Sequence, residues 1–425
     1  MSKIWIIIYN VFIVPIFKLF FWLGPLFNQK IKMGVSDREK LFENLILNLA
    51  GSDRSKKMIW FHSSSMGEFE QAKPIIEQLK KKYNINIFVT FFSPSGYRNS
   101  LKYPYLDIIS YLPIDTRENA QRILNLVRPN LVIFMRYDFW PNLLWELDKR
   151  AIPHFIVDAT MKESSKRKLP ILLNFHKFLF KGFTKILTVS ELDKKNFLDF
   201  EINKNIVNSV GDTRFDRVYQ KSLAAKNKKL FKDGLFGDKQ IFVIGSSWES
   251  DEEVVLPAIL KLLQNDPSVI VFIAPHEPTI MHLERLEHSL MNKATSIRFS
   301  FLNNYQNEKV IIIDSIGILL TLYSYADAAY VGGSFKQGIH NVLEPAVYGI
   351  PVIFGSKIEN SQEALKLVEL KGAKVIYNRR DCYRTIRSIF SDSQLKERMG
   401  TICKNYVLEN IGATDKIISE INKYI

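Results

Sequence analysis

The sequence predicts an α/β protein of two doubly wound domains, each with a mostly parallel sheet, that follow an apolar N-terminal helix. Short apolar runs alternate with amphipathic segments along most of the 425 residues, and a polar stretch near the middle interrupts that alternation. Residues 4–27 are almost entirely apolar. Strands that alternate with helices indicate βαβ units and therefore parallel sheets. A chain of this length with 47% hydrophobic residues can bury a core in each domain.

The apolar N-terminal segment predicts a membrane anchor within residues 1–34. Asn10 and Lys18 are its polar exceptions, and as a helix it would be about 36 Å long against a hydrocarbon core of about 30 Å. No small-x-small cleavage site follows, which argues against a removed signal peptide. Excess basic residues after the segment place the body of the protein in the cytoplasm. Both a spanning helix and a helix lying in the membrane surface stay open. The basic residues that follow are Lys30, Lys32, Arg38 and Lys40, and only Lys3 precedes.

The alternation also sets the domain limits. The first domain covers residues 35–207, residues 208–238 are a polar, lysine-rich linker, and the second domain covers residues 239–425. The last helical segment, from Ser393, is expected to pack back across the linker. Because parallel strands carry binding groups at their carboxyl ends, we expect ligands in a cleft between the domains. Strands are predicted to begin at Met58, Ile85, Asp107, Asn130, Ile152, Lys185, Gln240, Ser268, Lys309, Ala328 and Ile350.

Three local patterns refine the first domain. A helix is predicted from Gly67, with Pro74 inside it or at a break, and a second helix from Thr116. Ser93-Pro94-Ser95-Gly96 is predicted to be a turn, because these residue types dominate turns.

The charge of the chain favours anionic partners. The net charge is +14, which suits acidic lipid headgroups or phosphorylated substrates, although a basic solvated surface gives the same value. Lysine and arginine are spread along the chain, so a nucleic-acid partner is not predicted. Cys382 and Cys403 lack the spacing of a zinc site and fit a reducing compartment.

Glu68 is the first candidate catalytic residue. It follows the first predicted strand in the sequence FHSSSMGEFE, where Ser65 and Gly67 let the backbone approach a substrate closely. A carboxylate near a helix N-terminus at the mouth of a cleft can act as a general base. The alternative is that Glu68 only complements the helix dipole.

A glycine-rich run from Val331, VGGSFKQGIHNVLEP, is the second candidate site. A turn of this kind after a strand presents backbone N–H groups to a phosphate. Asn341 and Glu344 lie three apart on one helix face and suit ribose hydroxyls, although a capped helix with a solvated glutamate is the alternative. Gly333, Ser334 and His340 are further candidate substrate contacts.

Two more side chains suit a phosphorylated substrate. Arg214 could neutralise a leaving phosphate, but pairing with Asp212 or Asp216 is the interpretation that the residues alone favour. His276 could bond a phosphate or a base, whereas a lone histidine is more often structural. No D-x-D sequence occurs in the chain, so the carboxylate pair that usually holds a metal on a nucleotide-sugar is missing. We therefore expect no metal and no cofactor.

Taken together, these motifs resemble those of the Kdo transferases, which move 3-deoxy-D-manno-octulosonic acid (Kdo). Ser65-Met66-Gly67-Glu68 is similar to the family's S-V-G-E, and IGSSWESDEE from Ile244 is similar to its GSTH…EE loop. The other motifs follow in the family's order, and the resemblance covers nearly the whole chain. They are YLPID from Tyr111, FWPN from Phe139, GDTRFD from Gly211 and GGSF…GIHNVLEP from Gly332.

The resemblance implies a GT-B fold, with two Rossmann-like domains facing across a cleft, and an inverting glycosyltransferase. Its donor would be CMP-Kdo, and its acceptor the 6′-hydroxyl of a lipid A precursor (lipid IVA) at the cytoplasmic face of the inner membrane. Glu68 matches the general base, and Arg214 matches a basic residue that stabilises the transition state. Basic residues of the first domain would draw the acceptor headgroup; they include Lys162, Lys166 and Arg167. The positions that match CMP contacts are Pro275, His276, Ile316, Gly317, Ile318, Asn341 and Glu344.

The chain departs from the family pattern at several positions. Arg136 stands where the family commonly has a catalytic Glu, and Asp138 is expected to keep part of that acidic role. His276 follows Pro275 where the family has Arg, and Ile318 replaces a carboxylate. Two alternatives therefore stay open: a GT-B transferase that uses a UDP-sugar on another lipid, and a membrane-tethered binding protein without catalysis.

Overall fold

The structure, a computed structural model, describes residues 2–425, with side chains from Ile4 onward. The chain forms two compact units. The first holds the residues up to Arg217 together with Ile411–Ile425, and the second holds Val218–Asn410.

The first unit is built on a sheet of seven parallel strands. They are β1 (Met58–Ser63), β2 (Asn86–Phe91), β3 (Ile108–Tyr111), β4 (Leu131–Met135), β5 (His154–Ala159), β6 (Lys185–Thr188) and β7 (Val207–Ser209). Their order is β3-β2-β1-β4-β5-β6-β7, and Phe61 of β1 lies opposite Val89 of β2 and Ile133 of β4. The strand order reverses between β1 and β4, which is the point where doubly wound sheets bind ligands.

The sequences of these strands are apolar because both faces of the sheet are covered. All of Leu131–Met135 is buried, and continuous apolar runs of this kind are typical of central parallel strands. Side chains alternate between the faces, so Trp60 and Phe134 enter one core whereas Phe61 and Ile133 enter the other.

Eleven helices of the described chain precede the second sheet. They are α1 (Ser2–Ile8), α2 (Val14–Leu23), α3 (Gln29–Ser36), α4 (Leu41–Ala50), α5 (Met66–Lys82), α6 (Pro94–Ser100), α7 (Arg117–Val127), α8 (Pro141–Lys149), α9 (Pro170–Phe180), α10 (Glu191–Leu198) and α11 (Thr213–Lys226). Pro74 lies inside α5 without breaking it. The predicted turn at Ser93–Gly96 is wrong, because these residues start α6. Ser93 Oγ accepts the Gly96 N–H at 3.1 Å, and Pro94 occupies a first-turn position that needs no donor.

The apolar N-terminal segment is one continuous helical element. A π-helical turn, Tyr9–Ile13, joins α1 to α2, and a 3₁₀ turn, Gly24–Leu26, ends it. The stretch Ile4–Leu26 is long and apolar enough to cross a membrane. Pro15 and Lys18 lie within it, and Pro25 lies in the 3₁₀ turn at its end.

One face of this N-terminal helix packs on the first unit. The Tyr9 hydroxyl donates to Asp115 at 2.9 Å, and the amides of Asn10 and Asn142 exchange hydrogen bonds of 2.9 and 3.0 Å. The Phe17 ring lies 6.1 Å from that of Trp140. The opposite face is exposed, and it includes Ile7, Val11, Phe12, Ile16, Leu19 and Trp22. The helix therefore presents apolar side chains outward while polar contacts hold its inner face.

The segment predicted as a linker, residues 208–238, contains regular structure. It includes the end of β7 and the whole of α11, and the first unit continues to Arg217 within that helix. Charged contacts are the reason: Arg217 pairs with Glu70 and Glu77 at 3.0 Å, and Asp216 accepts the N–H groups of Gly412 and Thr414.

The second unit repeats the architecture with a second sheet of seven parallel strands. They are β8 (Gln240–Ser247), β9 (Val269–Pro275), β10 (Ser296–Arg298), β11 (Val310–Ile312), β12 (Ala328–Val331), β13 (Val352–Phe354) and β14 (Ala373–Val375). Their order, β10-β11-β9-β8-β12-β13-β14, reverses between β8 and β12. Its helices are α12 (Glu249–Asn265), α13 (Ile280–Leu290), α14 (Leu319–Tyr323), α15 (Leu343–Ala346), α16 (Gln362–Glu369), α17 (Arg379–Ser391) and α18 (Ser393–Glu409).

The last helix, α19 (Ala413–Ile421), belongs to the first unit. Ile417, Ile418 and Ile421 are buried in the same core as Ile75 and Leu79 of α5. The C-terminal segment thus closes one face of the first sheet.

Candidate functional site

The first candidate site lies at the carboxyl ends of β1 and β4. Glu68 follows β1, while Arg136 and Asp138 follow β4, and these strands are neighbours at the point where the strand order reverses. The sheet therefore brings together three of the four predicted catalytic residues, although they are far apart in sequence.

Glu68 is held at the start of α5 by hydrogen bonds with two preceding serines. The Ser64 N–H donates to Glu68 Oε2 at 2.6 Å, and the Glu68 N–H donates to Ser65 Oγ at 3.4 Å. Gly67 lies between them in the first turn. The residue is only 8% exposed, and burial raises the pKa of its carboxyl, with the Ser64 N–H opposing and the charge of Asp138 adding to the shift. A carboxylate with a raised pKa is a better proton acceptor than an ordinary one.

A chain of hydrogen bonds runs behind Glu68 through a buried histidine. Thr90 Oγ1 accepts the Trp60 indole N–H at 2.8 Å and lies 2.9 Å from His62 Nδ1. His62 Nε2 lies 2.8 Å from Asp138 Oδ2. The His62 ring thus bridges Thr90 and Asp138, and the Trp140 indole N–H lies 3.2 Å from the same Nε2.

Asp138 remains a carboxylate in this arrangement. The Trp140 indole N–H also reaches Asp138 Oδ2, at 3.2 Å. Burial acts to raise the pKa of Asp138, but the hydrogen bond and the charge of His62 outweigh it and hold that pKa below its usual range. Asp138 therefore keeps a negative charge near Glu68, which favours the protonated form of Glu68.

Arg136 occupies a strained backbone position at the end of β4. Its φ is +63°, in the left-handed region that non-glycine residues seldom adopt. Its N–H donates to the Val157 carbonyl at 2.8 Å, whereas its Nε is buried without a hydrogen-bond partner among the described residues. The positive charge of Arg136 lowers the pKa of Glu68 and so opposes the effect of burial.

Arg214 lies at the start of α11 and pairs with Asp212. Its Nη2 lies 2.6 Å from Asp212 Oδ2, and its Nε lies 2.9 Å from the same oxygen. Behind this pair, Thr213 donates to the fully buried Asp158 through its N–H, at 3.2 Å, and its hydroxyl. Burial and the charge of Asp212 raise the pKa of Asp158 to about 7. The predicted pairing with Asp212 is present, and it leaves the Arg214 side chain 37% exposed.

The second candidate site lies at the carboxyl ends of β8, β9 and β12. Gly333 has a φ of +92°, and a Cβ there would lie 2.2 Å from the Gly338 carbonyl oxygen, so only glycine fits the turn. The Gly333 N–H donates to Asp251 Oδ2 at 2.8 Å, and the Trp248 N–H donates to the same oxygen at 2.9 Å. Tyr330 donates to Asp251 Oδ1 at 2.7 Å. Asp251 thus fixes both loops that surround the site.

Three aromatic rings stack above these loops. The ring centroids of Trp248 and His276 are 4.6 Å apart, and those of His276 and His340 are 4.4 Å apart. The Trp248 indole N–H donates to His340 Nε2 at 2.9 Å. Burial and the neighbouring His276 lower the pKa of His340 to about 4, so its ring is neutral at pH 7. His276 remains exposed at its edge.

The structure sorts the other predicted donor contacts. Asn341 is exposed and its amide donates to Glu344 at 3.3 Å, so the two residues share one face as predicted. Ile316 is 86% exposed in the turn before α14, with Gly317 at a φ of +86°.

Ser334 is fully buried, and its Oγ accepts the Gly355 N–H at 2.6 Å. Ser334 therefore stabilises the loop instead of facing a ligand. Pro275 is buried at the end of β9, and Ile318 immediately precedes α14.

Comparison of the sequence with known proteins identifies the family of this chain. A family model described as 3-deoxy-D-manno-octulosonic-acid transferase (kdotransferase) matches residues 39–217. A 3-deoxy-D-manno-octulosonic acid transferase of Aquifex aeolicus is 30% identical over 323 residues, which cover 75% of this chain and 81% of that protein. One of Haemophilus influenzae is 28% identical over 86% of this chain and 87% of its own length. This chain belongs to the Kdo transferase family.

Solved structures confirm the GT-B fold. UDP-GlcNAc 2-epimerase from Neisseria meningitidis, bound to UDP-GlcNAc, has a TM-score of 0.62 and 16% identity, covering 86% of this chain and all of that one. A putative UDP-N-acetylglucosamine 2-epimerase from Listeria monocytogenes has a TM-score of 0.60 and 12% identity over 87% of this chain and 96% of its own. The two parallel seven-stranded units and the apolar N-terminal helix match the fold class that the sequence predicts.

Sequence reasoning missed four residues of this Kdo transferase that organise its two sites. His62 and Trp140 stood inside quoted motifs, and the period of two along β1 puts Trp60 and His62 on one face. Trp248 and Asp251 lie in the sequence SSWESDEE, where an acidic residue three positions after a helix start is a capping signal. Their partners become visible only when the strands are assembled.

Metal ligands are not gathered at either site of this glycosyltransferase. Within the described residues, no group of three or more His, Cys, Asp and Glu side chains is arranged to hold a metal ion. The expectation of a metal-independent reaction stays a prediction.

Proposed function

We propose that this protein transfers Kdo from CMP-Kdo to the 6′-hydroxyl of a lipid A precursor, with inversion at the anomeric carbon. The observation that carries the proposal is the position of Glu68, a nearly buried carboxylate with a raised pKa at the switch point of the first sheet. Membership of the Kdo transferase family supports the donor sugar.

In the proposed reaction, Glu68 accepts the proton of the attacking hydroxyl. The hydroxyl oxygen forms the new bond to the anomeric carbon, and the bond to the CMP phosphate breaks with its electron pair on the phosphate. To turn toward the acceptor, the Glu68 side chain must give up part of the hydrogen bond that it accepts from the Ser64 N–H. Asp138 and His62 are positioning residues here: the negative charge of Asp138 raises the proton affinity of Glu68, and His62 holds Asp138 in place.

The second unit supplies the donor contacts in this proposal. Asn341 and Glu344 suit the ribose hydroxyls because both side chains lie on one face. The stacked rings of Trp248, His276 and His340 present a flat surface and an exposed imidazole edge to a nucleotide.

Arg214 is the proposed cation for the leaving phosphate, and it would exchange Asp212 for that phosphate. No metal takes part in the proposal.

The exposed face of the N-terminal helix is the proposed membrane contact. Trp5 and Tyr9 pack against Phe175 of α9, with ring centroids 5.5 and 6.4 Å apart. Leu169 and Ile171, at the start of α9, are exposed and extend the apolar surface. We propose that this surface lies in the cytoplasmic leaflet of the inner membrane. The exposed Lys162 and Lys166 would then meet acidic headgroups.

A transfer assay tests the proposal. Detergent-solubilised protein is incubated with freshly generated CMP-Kdo and lipid A precursor, with and without EDTA, and the products are weighed by mass spectrometry. We expect mass increments of Kdo that persist in EDTA, and their number gives the count of transferred units. Transfer from a UDP-sugar instead, or no transfer by folded protein with intact donor, would refute the proposed reaction.

A further inference from the structure

A cavity beside the N-terminal helix is not used by the proposed catalytic residues. Its volume is about 710 Å³, within the range of about 300–1,000 Å³ that ligand pockets occupy. It lies among α2, α3 and the start of α6. The apolar side chains that form its walls are Phe20, Phe21, Ile31, Met33, Phe92 and Pro94.

The cavity is continuous with the apolar outer surface of the helix. Phe20 lines it and is also half exposed on the face that we assign to the membrane, and Leu19 and Leu23 are exposed beside it. An apolar chain could therefore pass from the membrane into the cavity without crossing water. The ligand that enters the cavity by this route is therefore a lipid, which inserts an apolar chain.

The inner wall of the cavity leads directly to Glu68. The Ser93 N–H donates to the Ser64 carbonyl at 2.9 Å, and the Ser64 N–H donates to Glu68. On the same wall the Phe92 ring lies 5.0 Å from the ring of Trp140, which donates to Asp138. Two hydrogen bonds therefore connect Ser93, in the wall of the cavity, with the proposed base.

A half-buried arginine maintains the shape of the cavity. The Arg38 guanidinium donates to the carbonyls of Gly34, Phe92 and Leu112 at 2.7, 2.6 and 3.2 Å, which ties α3 to the ends of β2 and β3. Lys30 and Arg98 also line the cavity. Arg98 is paired with Asp37 at 2.9 Å, whereas Lys30 is a cation that suits a phosphate of an acidic lipid.

We propose that this cavity binds an acyl chain of the acceptor lipid and so sets the position of its sugar hydroxyl relative to Glu68. The inference rests on the proposed function, because it takes the acceptor to be an acylated, diphosphorylated glucosamine disaccharide. A bulk phospholipid has acyl chains too, but it lacks the sugar hydroxyl that the catalytic residues next to the inner wall would use.

Two tryptophan variants test the cavity, because Ser95 and Asn99 line it, are exposed and lie four apart on α6. Ser95→Trp and Asn99→Trp add bulk to one face of the helix without disturbing a buried contact. Lys102→Trp is the matched control, since Lys102 is exposed just beyond α6 and does not line the cavity. Binding of the acylated disaccharide diphosphate and of its fully deacylated form is measured by native mass spectrometry, without donor.

We expect the acylated acceptor to bind at least about tenfold more weakly to Ser95→Trp and Asn99→Trp than to the wild type, because displaced methylene groups lose their burial. Lys102→Trp should bind like the wild type, and the deacylated form should not distinguish the four proteins. Equal binding of the acylated form to all four would overturn the proposal. So would equal loss of both acceptors, or full displacement of the acceptor by phosphatidylglycerol of the same chain length.

This binding measurement separates the two proposals. Chain-dependent binding that the cavity variants weaken would stand even if CMP-Kdo gave no transfer, in which case the reaction assignment alone fails. Normal transfer with cavity variants that bind and react like the wild type would overturn the cavity alone.

Discussion

The two units have the same kind of sheet but place different chemistry at its carboxyl edge. In the first unit the switch point between β1 and β4 gathers ionisable side chains: Glu68, His62, Asp138 and Arg136. In the second unit the switch point between β8 and β12 gathers a glycine turn and three stacked rings. The same topology therefore suits the two separate tasks, proton transfer and nucleotide binding, that the proposed function assigns to the units.

The difference follows from what each task requires. Proton transfer needs a carboxylate with altered affinity for a proton, and burial beside a second carboxylate provides it. Nucleotide recognition needs close approach of the backbone and flat apolar surfaces, and Gly333 and the Trp248 ring provide them. The neutral His340 adds no charge there. Changes in the first unit should thus alter turnover and pH dependence, and changes in the second should alter donor binding.

The largest effect is expected for Glu68→Gln, which keeps the shape of the side chain and removes its basicity. We expect kcat to fall by about 10²–10⁴ with little change in the KM for CMP-Kdo, measured by initial rates of transfer. Glu118→Gln is the control, because Glu118 is also a first-turn carboxylate of a helix in the first unit but is exposed. If both variants lost the same small amount of activity, Glu68 would only complement the helix dipole.

The buried Asp158 of the first unit should also make the folded protein less stable at high pH. The raised pKa of Asp158 means that the folded protein holds this proton longer than the unfolded chain does. The corresponding stability is fully present below the ordinary pKa of about 3.9 and is lost as the pH rises through about 7. Asp158→Asn does not titrate, so its free energy of unfolding should gain roughly 2 kcal/mol over that of the wild type between pH 5 and pH 8.

Urea unfolding at several pH values measures this difference. Asp233→Asn is the control, because Asp233 is exposed and pairs with Lys229 at 2.7 Å outside the helices. A constant difference between Asp158→Asn and the wild type across the pH range would contradict the raised pKa.

The second unit should respond through donor binding. Trp248→Ala removes the ring that stacks on His276 and the N–H that His340 accepts. Stacked aromatic pairs contribute roughly 0.5–1.5 kcal/mol beyond their burial, so we expect the KM for CMP-Kdo to rise by up to about tenfold while kcat changes little. Trp248→Phe, which keeps a ring, should recover most of the loss. A fall in kcat with an unchanged donor KM would contradict a separate donor site.

The fold class could be predicted from the sequence because continuous apolar runs predict the longer strands, such as Leu131–Met135 and Val269–Pro275. Short strands carry no such signal: Ser296–Arg298 and Ala373–Val375 are formed by pairing with their neighbours. For the same reason β7 went unrecognised at the boundary between the predicted first domain and the predicted linker. Pairing along the sheet, not local preference, decides these elements.

The candidate site shows the same division. Glu68 and Gly333 could be predicted, because a strand–turn–helix pattern is local and has a recognisable composition. The contacts of His62 with Thr90 and Asp138 join three strands' ends, and the stack of Trp248 on His276 and His340 joins three loops. Such contacts depend on strand order, which no single segment specifies.

The smallest effect is expected for substitution of Arg136. It tests the role of charge in the first unit, because only the charge near Glu68 is changed. The Arg136 charge lowers the pKa of Glu68, so Arg136→Gln should raise that pKa further. A general base works only when deprotonated, and the acid limb of kcat/KM should therefore move to higher pH, by about one pH unit or less. Arg136→Glu should move it further in the same direction, because it adds a negative charge.

Arg128→Gln is the matched control for this shift. Arg128 also has a positive φ, of +50°, but it precedes β4, whereas Arg136 follows it. The control should leave the acid limb in place, since it removes an arginine from the opposite edge of the sheet. An acid limb that moved to lower pH in Arg136→Gln, or moved equally in both variants, would mean that Arg136 does not act on Glu68. The group that titrates in kcat/KM would then have to be sought elsewhere.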